Sequence, residues 1–364
     1  MTSTGFLVAF DAVLATTSVL LVMFVVAARV VRTAVLAGRQ GRVSRYRAAL
    51  LTVGSGEDED GAATAVLHAA PPQAWRVVRV SAVALLGKVR GEPAVQLVRL
   101  LDQRGELTAA RVGLSSPSAV KRARRAHLLG LGRQDADTEV LLPLLADRSA
   151  EVRLVAARSL GLIGAPRAAW ALFDALRPVH GQPAVPTGVV AEALLRIGSG
   201  TIPAVTEALG AEDVNQRTVA TLVAADSALS AVLPSLRRLL VDDAVLDVRI
   251  SAAMAIGAAG RPADVGVLAW HTSADQPVEL RRAAAAALGE LGDPGAAGVL
   301  VELLADADVR LAQLSGTALI GLGDMGTELL AGVAGGGLPG ARVAAGVLSV
   351  ARLRSAAGLH GGGG

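Results

Sequence analysis

The sequence contains no cysteine, and this absence excludes disulfide bonds, zinc sites built on thiolates and chromophores linked through cysteine. Such a composition fits a reducing compartment. Aromatic residues make up only 2% of the 364 residues, with a single tyrosine, so little ring surface is available to hold a large flat cofactor. The net charge is only +3, which gives no general electrostatic reason to bind nucleic acid.

Residue patterns that carry chemistry are also scarce. The five histidines are scattered, with no two of them three or four residues apart, so neither a zinc-binding helix nor the HExxH pattern is present. No Gly-x4-Gly-Lys-Ser/Thr phosphate loop occurs, and no Ser, His and Asp are indicated as a triad. The sequence therefore predicts no catalytic residue, no metal site, no cofactor and no small-molecule substrate.

A basic residue recurs at a nearly fixed interval. The 32-residue spacing runs through Lys121, Arg153, Arg217, Arg249 and Arg281, and the series continues with Arg310 and Arg342. The same sequence pattern surrounds several of these positions: a hydrophobic residue before the arginine, alanines three and four residues after it, and a glycine eleven residues after it. A period of this length is typical of stacked helical hairpins, because one hairpin cannot bury its apolar face alone.

The spacing within a unit predicts its two helices. Val152, Ala156 and Leu160 fall on one side of a first helix, and the small alanine lets a neighbouring helix approach closely. Gly164 then suits the residue after the last turn, and Pro166 suits the first turn of a second helix. In that second helix, apolar residues recur nineteen and twenty-three residues after the arginine.

The repeated pattern Asp-x5-Arg-x2-Ala-x3-Leu-Gly, present from Asp147 and again from Asp275, resembles the short bacterial HEAT repeat of the phycobilisome-lyase type. The resemblance extends from about Pro72 to Ala357. It implies that the aspartates and arginines link turns and adjacent repeats, and their constant six-residue offset favours such a structural ladder over a catalytic pair. The expected ladder residues are Asp147, Arg153, Arg217, Asp243, Arg249, Asp275, Arg281, Arg310 and Arg342.

Two parts of the series are irregular. Val185 stands where an arginine is expected, in a loop over 178–186 that three prolines interrupt, so the unit is predicted to keep only a shortened first helix over 189–198 and a second over 202–209. About ten extra residues lie within 103–118. Counting from Arg79, the sequence predicts an all-α fold, an α-solenoid of nine HEAT-like hairpins and about eighteen helices.

The N-terminal region predicts a membrane anchor. No charged residue occurs from Ala12 to Ala28, a length that suffices to span the hydrocarbon core. Six arginines follow the apolar stretch closely and none precedes it, so the positive-inside rule places the rest of the chain in the cytoplasm, with basic residues near the inner leaflet. A cleaved signal peptide is the alternative. Asp11 is expected at the outer interface or paired with another membrane helix.

These observations define five predicted segments. Residues 1–4 form a short extracytoplasmic tail, 5–31 the transmembrane helix, and 32–61 a basic and then acidic linker that ends in the Gly54 to Gly61 stretch. Residues 62–357 form the solenoid and 358–364 a glycine-rich tail. The predicted location is the cell membrane, with a single span, the N-terminus outside and the solenoid in the cytoplasm.

Two surfaces are candidates for binding. The basic patch, defined as Lys121, Arg122, Arg124 and Arg125, places two arginines where better-conforming units have alanines. We expect either a helix that is rotated or exposed beside the insertion, or a docking site for an anionic headgroup or an acidic partner.

The second surface is a row of positions twenty-one residues after the arginine, which we call the second-helix row. Its residues vary in type while flanking positions stay apolar. This pattern is expected of a recognition surface on the concave face of a solenoid, and a solvated ridge would give the same pattern. Its members are Asp174, Thr206, Arg238, Trp270 and Glu302. Arg237 and His271, beside two of them, are expected to contribute to binding.

Three functional classes follow. The favoured one is a non-enzymatic scaffold that binds or regulates a protein partner at the inner membrane, such as a glycosyltransferase or a transporter. The resemblance also implies bilin lyases and isomerases, for which the sequence offers few aromatic groups. Nucleic-acid binding ranks last, because the second-helix row mixes acids with bases.

Overall fold

The computed structural model describes residues 44–178, 184–337 and 339–356. All regular structure in these ranges is helical, and none of the residues in them belongs to a β-strand. The chain forms two compact units that divide between Ala109 and Ala110. The predicted membrane segment 5–31 and the tails 1–4 and 358–364 lie outside the described residues.

The first unit is a small group of helices with a leucine core. Its helices are α1 over residues 44–55, α2 Ala62–His68, α3 Pro72–Leu86, α4 Glu92–Gln103 and the first part of α5 Glu106–Gly113. Leu67, Leu97 and Leu100 are fully buried. Trp75 of α3 is also buried and donates its Nε1–H to Glu106 over 2.8 Å, which joins α3 to α5.

The expected linker boundary at residue 61 is wrong for the described part of the linker. Residues 44–55 are helical, and Tyr46 and Val53 of α1 are buried. In the acidic stretch, Asp58 is buried and accepts hydrogen bonds from the backbone N–H groups of Ala63 (2.8 Å) and Thr64 (2.9 Å). The carboxylate therefore satisfies the open end of α2, a role that composition alone does not distinguish from a solvated acidic linker.

The second unit is an α-solenoid, in which helical hairpins follow one another along the chain. The first helices of its hairpins are α6 Ala119–Gly132, α8 Ala150–Ile163, α10 Thr187–Ile197, α12 Val214–Asp226, α14 Leu246–Ala259, α16 Val278–Leu291, α18 Val309–Gly321 and α20 Ala341–Ala356. The second helices are α7 Thr138–Leu141, α9 Ala168–Asp174, α11 Ile202–Ala208, α13 Leu233–Asp242, α15 Val265–Trp270, α17 Ala297–Glu302 and α19 Asp324–Gly335. Each first helix packs against the next first helix.

The glycine of the repeated Leu-Gly pair sets how closely the first helices approach. A Cβ atom at Gly161 would lie 2.6 Å from the Cα of Ala193, and one at Gly289 would lie 2.5 Å from the Cβ of Ala318. Both distances are shorter than any side chain tolerates against packed backbone or a neighbouring Cβ, so only glycine fits there. The sequence motif thus encodes the spacing between repeats.

Both irregular regions contain helices, as the sequence predicts for the proline-interrupted unit but not for the extra residues. The extra residues within 103–118 contain α5, and the proline-interrupted unit keeps α10 and α11. Among the described residues, the stretch Thr187–Ala208, which comprises these two helices, is long and apolar enough to cross a membrane by length and composition, with 39% of it buried. Core helices meet the same criterion, and α10 packs against both α8 and α12.

Candidate docking surface

Arginine at the fourth residue of a first helix forms the ladder between consecutive repeats. Three such arginines reach forward to an aspartate in the turn that precedes the next first helix. The pairs are Arg122 with Asp147 (2.7 Å), Arg217 with Asp243 (2.7 Å), and Arg281 with Asp306.

Each of these aspartates also organises the turn in which it lies. Asp147 accepts from the backbone N–H of Ser149 over 2.8 Å, and Asp243 accepts from that of Val245 over 2.9 Å. Burial alone would raise the pKa of Asp147, but the hydrogen bonds from Arg122 and Ser149 outweigh it and hold that pKa below its ordinary value. The ladder therefore stabilises the entry to one helix from the preceding repeat.

Arg153 and Arg249 make different contacts. Arg153 is buried and donates to the backbone oxygen of Asp147 over 2.7 Å, within its own repeat. Arg249 donates to the backbone oxygen of Leu240 and, over 2.8 Å, to the side chain of Gln276. Gln276 thus takes the place expected for Asp275, which is exposed.

Arg310 and Arg342 lie outside the ladder, contrary to the expectation. Helix α18 begins at Val309 and α20 at Ala341, so the fourth positions belong to Ala312 and Ala344. Both alanines are buried, whereas both arginines are exposed. The recurrence of arginine continues past α16, but its register relative to the helix start changes by two residues.

The basic patch does not act as one surface. Arg122 is buried because it occupies the ladder position, so the repeat register is one residue later than the alignment on Lys121 predicts. Arg125 is half-buried, and its side chain lies against α5, where a Cβ at Gly113 would be 3.1 Å from it. Lys121 and Arg124 alone among the four are exposed.

All five members of the second-helix row are exposed. Asp174, Thr206, Arg238, Trp270 and Glu302 lie on α9, α11, α13, α15 and α17. Residues two positions earlier are buried in every case, as Leu172, Ala204, Leu236, Leu268 and Leu300. Since a step of two residues turns a helix by about 200°, the row lies opposite the buried side. The structure thus brings different polar and aromatic side chains to equivalent surface positions in five successive repeats.

Arg237 and His271 do not belong to that surface. Arg237 forms a two-point ion pair with Asp264, with Nη2 3.0 Å from Oδ2, and Asp264 is buried at the start of the next second helix. His271 is fully buried, and its Nδ1 lies 2.7 Å from the backbone oxygen of Val267. Burial lowers the pKa of His271 below its ordinary value. The Arg237 ion pair therefore connects two consecutive second helices, whereas the His271 side chain is held against the backbone of its own helix.

Trp270 is the largest exposed side chain of the row, at 56% exposure. Its ring meets that of His271 edge to face, with 4.7 Å between centroids, so the buried histidine supports one edge of the indole. Gly266 lies one turn earlier on α15, with open space around its Cβ position. The indole therefore remains accessible to a partner.

Sequence reasoning missed Trp170, which is 42% exposed on α9, one turn before Asp174. Its Nε1–H donates to Glu207 of α11 over 2.9 Å, so the ring is held between two second helices beside the row. The signal was present in the sequence. The position seventeen residues after the arginine lies on the same side of the helix as the row and is otherwise small or apolar: Ile202, Pro234, Gly266 and Gly298.

No group of three or more His, Asp or Glu side chains arranged to hold a metal ion occurs within residues 44–178, 184–337 and 339–356. The second unit consists of stacked helix pairs with arginine–aspartate ion pairs between repeats, and its second-helix row presents exposed residues of different types.

These features define an α-solenoid of paired helices. Residues 246–320, which contain the segment from α14 into α18, match the family model described as HEAT repeats. No curated protein sequence matches the chain.

Several solved structures are similar to the chain at low sequence identity. YibA of Escherichia coli is 20% identical, with 67% of this chain and 92% of that chain covered and a TM-score of 0.40. The CpcE–CpcF complex of phycocyanin lyase from Nostoc sp. PCC7120 is 18% identical, with coverages of 67% and 94% and a TM-score of 0.29. Human deoxyhypusine hydroxylase is 18% identical, with coverages of 78% and 98% and a TM-score of 0.30. Likenesses at this level carry no argument about activity.

Proposed function

We propose that this chain is a non-enzymatic docking protein that binds a protein partner through the second-helix row. The observation that carries the proposal is the constant exposure of that row across five repeats, combined with the change of residue type at each step. A position under packing constraint would repeat an apolar residue, as the positions two residues earlier do. Trp270 and Arg238 are of the residue types that most often anchor an interface.

The partner is proposed to lie at the inner face of a membrane, with residues 5–31 as the anchor. This part rests on the absence of charge from Ala12 to Ala28 and on the arginines that follow. A membrane enzyme such as a glycosyltransferase, or a transporter, fits a protein that is fixed in the same plane. A reporter fused after Gly364 should be active in the cytoplasm, and activity on the other side of the membrane would contradict the topology.

The role of the second-helix row is tested by photocrosslinking in membranes that contain the full-length chain. A photoreactive residue replaces Thr206 in the row, and a control places it at Ala286, an exposed position on the first helix α16. Partner crosslinks are expected from position 206 and not from position 286. The double substitution Trp270→Ala with Arg238→Ala should reduce the crosslink strongly, because one buried anchor often contributes about 2 kcal/mol or more.

Two further variants separate a local effect from a general one. Met254→Ala removes an apolar side chain of similar exposure, 52%, from first helix α14, and it should leave the crosslink unchanged. Arg124→Ala tests the exposed part of the basic patch. Loss of the partner with Arg124→Ala alone would move the site to that patch, and unfolding of the row double variant, measured by circular dichroism, would place Trp270 in the packed core and end the proposal.

A further inference from the structure

The last two first helices of the second unit enclose an apolar groove. The groove lies between α18 and α20, has a volume of about 710 Å³, and includes Val309, Ile320, Val347 and Val350. Val309 and Val350 are 63% and 47% exposed. A recess of this volume with an apolar lining is typical of a binding site.

The α18–α20 pair lacks an ion pair that links the preceding pair of first helices. Between α16 and α18, Arg282 donates to Asp308 over 2.9 Å and bridges the two helices. Counted from the ladder position, Gln313 replaces Arg282 and Gly340 replaces Asp308 at the α18–α20 pair. On the groove wall, Gly346 leaves open space around its Cβ position.

Two arginines mark the ends of the groove, and no acidic residue lines it. Arg342 and Arg354 both face the groove and are exposed, and neither forms an ion pair with any residue that the structure describes. They are twelve residues apart on α20, or about 18 Å along the helix axis. The apolar floor lies between them.

We propose that this groove binds an amphipathic helix of another protein, with acidic residues about three turns apart and an apolar face between them. An apolar recess between two helices suits a third helix, which would lie in it by ridge and groove packing. The unpaired arginines favour carboxylates at both ends of that helix.

Other occupants fit the charge less well. A second copy of this chain would place Arg342 and Arg354 against the same arginines in a two-fold contact. The N-terminal segment of this chain, residues 1–43, carries arginines and no acidic residue except Asp11. A bilayer surface is flat, whereas the apolar floor here is recessed between helices. This surface lies on first helices and is distinct from the second-helix row.

The probe is a fluorescein-labelled peptide of 18 residues with leucines along one helical face, glutamates twelve positions apart and alanine and glutamine elsewhere. Its binding to the full-length chain is followed by fluorescence anisotropy, alongside the same peptide with lysine in place of glutamate. The acidic peptide should bind and the basic peptide should bind at least about tenfold more weakly.

Paired variants assign the effect to the groove. Gly346→Leu places a large side chain in the groove from a position where a Cβ has nothing within 4 Å, and it should weaken binding of the acidic peptide about tenfold. Gly332→Leu places the same side chain at an equally open position on α19 as a control. Arg342→Glu with Arg354→Glu should also weaken binding about tenfold, whereas Arg352→Glu, on α20 but outside the groove, should change it less than about twofold. Thermal unfolding of each variant checks that the helices remain intact.

Three results would overturn the proposal. The first is equal binding of the acidic and basic peptides, or no binding of either. The second is a decrease in the mass measured by light scattering with Gly346→Leu, since this would identify a second copy as the occupant. The third is weaker binding to vesicles of phosphatidylcholine and phosphatidylglycerol with Gly346→Leu but not with Gly332→Leu, since this would identify the membrane.

Discussion

Arg217 and Asp243 connect the first turn of α12 to the turn that precedes α14, with 2.7 Å between Nε and Oδ2. Their side chains are 14% and 3% exposed. The same guanidinium also donates to the backbone oxygens of Ala211 (2.9 Å) and Glu212 (2.8 Å), just before its own helix. One side chain therefore satisfies groups in two consecutive repeats, and its loss would affect both.

We expect Arg217→Ala to lower the free energy of unfolding by about 1–3 kcal/mol, because it leaves the buried Asp243 carboxylate with fewer hydrogen bonds. Urea unfolding followed by circular dichroism measures the change. Arg310→Ala is the matched control, since Arg310 is exposed and outside the ladder, and it should change stability by less than about 0.5 kcal/mol. Equal effects of the two substitutions would contradict a structural role for the ladder position.

The sequence predicted the repeats well because the residues that define them are constrained by packing. The alanines and the Leu-Gly pair recur because the first helices approach one another at these positions, and a period of 32 residues makes that recurrence visible. The predicted register of the repeats was wrong where a unit was aligned on its basic residues and not on the residues that pack. Between Lys121 and Arg125, any of four basic residues could be aligned with the arginine of the ladder. Leu129 and Gly130 lie seven and eight residues after Arg122, as the Leu-Gly pair does in other repeats, and they identify Arg122 as the ladder residue.

The candidate site was less predictable, because it depends on the direction in which each side chain points. Exposure at Arg238 and Trp270 followed from the periodicity of the buried leucines. Arg237 and His271 are only one residue away, but one residue turns a helix by about 100°, enough to move a side chain from the surface to a contact with the next helix. The partner of a buried polar group can lie in another repeat, as Arg237 does for Asp264, so it cannot be inferred from the neighbouring sequence.

The free energy of unfolding should depend on pH through the ion pair of Arg282 with Asp308, which links α16 to α18. Hydrogen bonds from Arg282 and from the backbone N–H of Leu311 lower the pKa of Asp308 from 3.8 to about 2. The unfolded chain therefore binds a proton at this carboxylate before the folded chain does, so the stabilisation is present above about pH 4 and is lost as the pH falls toward 2.

Asp308→Asn should reduce this acid sensitivity. The measurement is the free energy of unfolding in urea at several pH values between about 2 and 5, for the variant and for the unchanged chain. Asp324→Asn, at an exposed carboxylate near the start of α19, is the control and should retain the full slope. An unchanged slope with Asp308→Asn would mean that other carboxylates account for the acid sensitivity.

The final prediction concerns the close approach of first helices at the recurring glycine. A Cβ at Gly257 of α14 would lie 2.8 Å from the Cα of Ala287 on α16, whereas one at Gly332 of α19 would have nothing within 4 Å. Alanine is favoured over glycine inside a helix by about 1 kcal/mol, so Gly332→Ala should stabilise the protein by up to that amount. Gly257→Ala should instead destabilise it by about 1–3 kcal/mol, because the two helices must move apart.

Urea unfolding of both glycine variants separates helix propensity from packing, since each replaces the same residue by the same residue within a helix. A stabilised Gly257→Ala variant would show that α14 and α16 can separate without cost, and it would remove the packing explanation for the recurring glycine. A destabilised Gly257→Ala variant beside a Gly332→Ala control that is stabilised, or at least not destabilised, would instead assign the cost to helix spacing. Because the same glycine recurs at Gly161 and Gly289, the argument then applies to each pair of first helices that carries it.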